Sequence, residues 1–93
     1  MSPKAQLKIY AALGDVSGKV FEINVPESVK LRGLLERFAR QAGFYAQLFD
    51  DSGEIKRSFV ILVNGFSIYH QDNLDTMIKG GDEVTVLSFA TGG

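Results

Sequence analysis

Phe59-Val60-Ile61-Leu62-Val63-Asn64-Gly65 is the stretch on which the reading of the fold turns. Five consecutive apolar residues, mostly β-branched, match a strand buried on both faces. Asn-Gly is the strongest short hairpin signal, because both central residues of a two-residue turn take positive φ. The spacing therefore predicts a strand over 59–63 that folds back into a short strand over 66–68.

Downstream, Leu74, Met77 and Ile78 suggest one helical turn. Lys79-Gly80-Gly81-Asp82 reads as a tight turn, too short for a phosphate-binding loop. A last strand over 83–89 follows, with Val84 and Val86 alternating against Thr85, Leu87 and Phe89. Upstream, residues 44–58 carry Phe44, Tyr45, Leu48 and Phe49 as a short helix or packed loop, then Asp50-Asp51-Ser52-Gly53 as a turn.

Before that, Val29, Leu31, Leu34, Leu35, Phe38, Ala39 and Ala42 recur at three- and four-residue spacings, the stripe of an amphipathic helix. Ser28 is its candidate N-cap and Gly43 its C-terminal stop. Gly33 inside the helix costs roughly 1 kcal/mol relative to Ala, which close packing on a sheet would explain. Pro26 separates the helix from two alternating segments, Leu7/Ile9/Ala11/Leu13 and Phe21/Ile23/Val25. Joined through Gly14-Asp15 and Ser17-Gly18, these read as a hairpin.

The element order is β-β-α-β-β-β. One long helix across a mixed four- or five-stranded sheet makes a two-layer α+β domain, and the first and last strands can pair in parallel because the helix supplies the crossover. Residues 1–89 form the expected domain and 90–93 a small, mobile tail.

With 93 residues, the chain has room for one core. Ten Lys and Arg against eleven Asp and Glu argue against nucleic-acid binding. No apolar run nears the roughly 18 residues of a membrane span, and Met1-Ser2-Pro3-Lys4-Ala5-Gln6 lacks the apolar core of a signal peptide. The default expectation is cytoplasmic. The absence of cysteine removes disulfides, thiolate metal sites and a cysteine nucleophile. His70 stands alone and reads as a solvated loop residue. Asp50-Asp51 and Asp72-Asn73-Asp75 lack the spacing of a calcium loop. No metal site is expected.

Phe59-Val-Ile-Leu-Val-Asn-Gly65, Ile78-Lys-Gly-Gly-Asp-Glu-Val-Thr-Val-Leu87 and Gly92-Gly93, in that order, resemble the MoaD/ThiS sulfur carriers. The resemblance spans essentially the whole chain and implies the β-grasp fold of ubiquitin. It departs from the molybdopterin-synthase small subunits at Ser88-Phe89-Ala90-Thr91, where those have a proline pair. The segment before Phe59 makes the chain longer than the thiamine-type carriers and more like the MoaD-like branch or the carriers that feed cysteine synthesis.

The resemblance implies a non-enzymatic carrier whose reactive group is the Gly93 carboxylate, adenylated with ATP by a ubiquitin-activating-type enzyme (MoeB/ThiF-like) and converted to a thiocarboxylate. Ala90, Thr91 and Gly92 would thread a partner's tunnel. Glycine suits this because it has no Cβ and tolerates unusual backbone angles. Phe66, Ile68, Leu87 and Phe89 are the candidate docking patch. No cofactor is bound permanently. The first expected acceptor is a larger MoaE-like subunit of molybdopterin synthase. Cysteine, thiamine or tRNA thiolation is the alternative, as is a ubiquitin-like modifier conjugated through Gly93.

Overall fold

Lys4–Tyr10 (β1) and Val20–Asn24 (β2) pair antiparallel, with Leu7 opposite Phe21 and Ala5 opposite Ile23. The computed structural model describes residues 3–88. Alternation decides which face each side chain takes: Ala5, Leu7 and Ile9 are buried, while Lys4, Gln6 and Tyr10 are exposed on the other side. Between the strands a 3-10 turn at Gly14–Val16 forms, and Leu13 N–H donates to Ser17 Oγ at 2.7 Å.

The long helix is Leu31–Ala42 (α1) and buries Leu31, Leu34, Leu35 and Ala39. Gly43 ends it at φ 83, in the left-handed region, donating its N–H to Ala39 O. The start differs from expectation. Ser28 does not cap the helix; Lys30 occupies that position in an extended conformation without a side-chain cap. Val29–Lys30 (β3) instead pairs with Met77–Ile78 (β6), and Leu31 N–H donates to Thr76 O at 2.8 Å. This two-residue ribbon satisfies a backbone donor that a cap would otherwise take.

Residues 44–58 hold a short helix, Tyr45–Leu48 (α2), and a bridge between Phe49 and Ile55. Asp50 Oδ1 accepts from the N–H groups of Ser52 and Glu54, which is turn duty. Arg32 on α1 reaches across to donate to Gly53 O at 2.7 Å.

Phe59–Val63 (β4), Phe66–Ser67 (β5) and Glu83–Ser88 (β7) complete a five-stranded sheet in the order β2-β1-β7-β4-β5. β1 and β7 run parallel; the other pairs are antiparallel. This is the β-grasp arrangement, with α1 packed across one face. Two expectations need correcting here. β4 is buried on one face only, because a single helix covers a single face: Phe59, Ile61 and Val63 are core, Val60 and Leu62 half-buried. The expected helical turn is a 3-10 turn at Asn73–Asp75, after which Met77 and Ile78 belong to β6.

Candidate functional site

β7 organises the site because it is the central strand and its two ends do different work. At its leading end, Gly81 takes φ +91, and a Cβ on Gly80 would overlap Pro3. The turn's backbone requires glycine at 81, and the close approach of Pro3 requires it at 80. Asp82 follows, a carboxylate only 6% exposed. One oxygen accepts from Lys79 N–H at 2.9 Å; the other accepts from Asn64 Nδ2 at 3.1 Å and Lys79 Nζ at 3.2 Å. Asn64 also accepts from Glu83 N–H through Oδ1 at 2.9 Å, and its own N–H donates to Glu83 O at 2.8 Å. Burial pushes the Asp82 carboxyl up. The donors from Lys79 and Asn64 and the Lys79 charge outweigh it and hold the group below its ordinary value.

The Asn64-Gly65 hairpin and the Gly81-Asp82-Glu83 turn are thus one structure. Asn64 (φ 53) and Gly65 (φ 86) form the two-residue turn that their order predicts, and the Asn64 side chain ties it to the start of β7.

At the other end, Ser88 pairs with Phe59, and Ala12 N–H donates to Ser88 Oγ at 3.3 Å. Phe89, Ala90, Thr91, Gly92 and Gly93, which carry the expected chemistry, lie outside the described residues. The chain reaches them from the middle of the sheet, flanked by β1 and β4.

The register separates the expected docking patch. Val84 and Val86 are core, so Leu87 lies on the face away from α1, half-buried, beside Tyr10 on β1 and Val60 on β4. Phe66 is 69% exposed but pairs with Val63, on the helix side of the sheet. Ile68 is only 4% exposed, because the chain leaves β5 after Ser67 and turns into a 3-10 segment, Ile68–His70, that points it inward. The apolar residues that do share a face with Leu87 are Tyr10 and Val20, both about half exposed, with Val60 and Leu62. Sequence reading missed them, although the alternation in the first two strands carries the signal for Tyr10 and Val20. Lys8 lies on the same face and pairs with Glu83 at 3.1 Å.

His70 ends its 3-10 turn exposed, and among the described residues no cluster of His, Asp and Glu could hold a metal ion. Nor is any described helix long and apolar enough to cross a membrane.

The ThiS family model matches residues 7–93. No protein in the curated set matches the sequence. Among solved structures, SAMP1 of Haloferax volcanii superposes with a TM-score of 0.78 at 22% identity, covering 97% of this chain and 99% of that one. The BexX/CysO complex of Amycolatopsis orientalis matches with a TM-score of 0.73 at 20% identity, over 96% and 99%. Urm1 of Trypanosoma brucei matches with 0.71 at 17%, over 99% and 97%.

Proposed function

Because the chain belongs to the ThiS family of small ubiquitin-fold sulfur carriers, we propose that its Gly93 carboxylate is activated by a partner and loaded with sulfur. An α-carboxylate has a pKa of about 3.5 and is ionised at neutral pH, so it acylates nothing until one oxygen becomes a leaving group. A ubiquitin-activating-type enzyme supplies this step: the carboxylate attacks ATP, pyrophosphate leaves, and an acyl adenylate forms. A hydrosulfide equivalent then attacks the carbonyl carbon and AMP leaves. The resulting thiocarboxylate carries its sulfur to an acceptor held by a second protein.

This chain supplies positioning and no catalytic side chain. Ala90, Thr91 and Gly92 are small enough to follow Gly93 into a narrow site. The Leu87 face, with Tyr10 and Val20, offers apolar surface to the activating partner. Phe66 lies on the opposite face. The first acceptor to try is the larger subunit of a molybdopterin-type synthase, since this chain's folded 44–58 segment gives it the length of the MoaD-like branch; cysteine synthesis, whose carriers the same segment resembles, is the second. The observation that carries the reading is the family match, which runs through Gly92 and Gly93 directly from the central strand.

Incubation with a cognate adenylating enzyme, ATP and hydrosulfide should raise the intact mass by one exchange of oxygen for sulfur. Absence of both the adenylate and that shift would overturn the proposal. A protein-modifier reading is favoured by one observation: another structural relative, from Methanosarcina acetivorans, is named a small archaeal modifier protein. Covalent conjugates that require Gly93 would support it.

A further inference from the structure

Gly33 is exposed on α1, and a Cβ there would meet nothing within 4 Å. Close packing on the sheet, the expected reason for this glycine, is therefore absent. What the missing side chain leaves is a groove of about 180 Å³ between α1 and β2. Its apolar lining is Ile23, Val29, Leu34 and Phe38, and the charged residues lining it, Lys30 and Arg37, are both cationic. Arg37 makes no ion pair among the described residues; Lys30 reaches Asp75 at 3.7 Å, with both side chains largely in solvent.

One wall of the groove is a free strand edge. β2 is the outermost strand of the sheet. Val25 N–H donates to Pro3 O and Ile9 N–H to Lys19 O. The antiparallel alternation therefore turns the backbone groups of Phe21 and Ile23 toward β1, and those of Val20, Glu22 and Asn24 outward. Such an edge is a template for another strand.

We propose that this groove docks an extended segment of a partner protein, which adds to β2 as a strand with alternate apolar side chains in the groove and acidic residues beside Lys30 and Arg37. Charge complementarity selects the acidic flank. A second copy of this chain is a poor occupant, because on the groove side its own β2 presents only Phe21 and Ile23, while its exposed Val20 points to the opposite face. Phe21 is engaged with Phe38 at a ring separation of 4.8 Å, and Ile23 packs on the core. The Ile23–Asn24 end of β2 is level with the start of β7, six residues from Ser88 along the sheet. At about 3.3 Å per residue this is roughly 20 Å, so the groove can be filled while the tail is engaged elsewhere.

The test titrates the isotope-labelled full chain with a peptide of sequence Val-Thr-Ile-Thr-Val-Asp-Asp-Glu. Saturable shifts are expected at the amides of Val20, Glu22, Asn24, Gly33 and Arg37. Gly33→Leu fills the groove with a better helix former and should keep or raise the melting temperature. It should weaken binding about tenfold or more, the loss of one buried aliphatic side chain. Arg37→Glu, or replacing the acidic residues of the peptide by Lys, should each weaken binding by roughly threefold to tenfold. Unchanged affinity in folded Gly33→Leu, shifts confined to the Leu87 face, or no saturation would overturn the proposal. So would concentration-dependent shifts at β2 without peptide, which would give the groove to a second copy. None of these readouts uses Gly93, so the result is independent of the sulfur-carrier reading.

Discussion

The two ends of β7 are built on opposite principles. At the leading end a buried carboxylate, a hairpin asparagine and two turn glycines interlock through at least five hydrogen bonds. At the exit end Ser88 is held by its pairing with Phe59 and one side-chain bond from Ala12. The motifs that make the family recognisable, Asn64-Gly65 and Gly81-Asp82-Glu83, thus belong to the clamp rather than to the chemistry. A clamp at one end of a central strand fixes the direction in which the other end presents the chain. On the proposed function, the terminus that is loaded needs no large side chain of its own, because position is supplied upstream.

The largest effect expected from this division is on loading. Gly92→Val or deletion of Gly93 should reduce thiocarboxylate formation at least about 100-fold, the scale on which misplacement of a reacting group acts. The melting temperature should stay within about 1 °C, since neither residue belongs to the clamp. Asp82→Ala should do the reverse. It strands Asn64 Nδ2 and the Lys79 N–H, at a cost of about 1–3 kcal/mol, which for a domain of this size is a drop of several degrees, while loading measured well below the transition survives. Tail variants that unfold, or a folded Asp82→Ala that cannot be loaded, would break the division.

How much of this was legible follows from how local each signal is. The Asn64-Gly65 turn could be read because two successive positive φ angles admit few residues, and both are found there. The α1 stripe could be read because four buried residues recur at helical spacing. The β3–β6 ribbon was hidden: two-residue strands have no period, and their pairing joins residues almost fifty apart in sequence. Phe66 and Ile68 read as neighbours of Leu87 because an unbroken apolar run leaves open which face of β4, and so of its hairpin partner β5, is the core. Val60 and Leu62 read as buried because a run of apolar residues does not say how many faces of a strand are covered. The Gly33 groove had no positive signal, since it is made by an absent side chain.

A smaller effect separates the clamp from the rest of the sheet by pH. Burial alone would raise the Asp82 pKa, but its hydrogen bonds and the Lys79 charge win and lower it. A lowered carboxyl contributes stability that is complete above the unfolded value of about 3.9 and is lost as pH falls through the folded value. Urea midpoints should therefore fall with acidification below about pH 5 more steeply in the wild type than in Asp82→Asn, which has no carboxyl to protonate. Equal slopes would mean that other carboxylates dominate the acid limb and that the Asp82 charge adds little to the clamp.

The smallest effect lies midway along the sheet, where Lys8 joins Glu83 on the open face. The hydrogen bond to Glu83 raises the Lys8 pKa, partial burial opposes it, and the charges of Glu83 and Tyr10 add to it. The sign is opposite to that of Asp82: the contribution is complete below the unfolded value of about 10.4 and is lost as pH rises through the folded one. Lys8→Gln should lower the melting temperature slightly at neutral pH, and the difference should vanish in about 1 M salt, because a partly exposed pair is screened. Glu83 gives this pair its meaning, since its backbone belongs to the clamp while its side chain reaches onto the Leu87 face. If Lys8→Gln changes loading without changing stability, the activating partner touches the open face as far back as the clamp, and the boundary between the two ends of β7 moves upstream. If it changes neither, the partner's contact is confined to the Leu87 end.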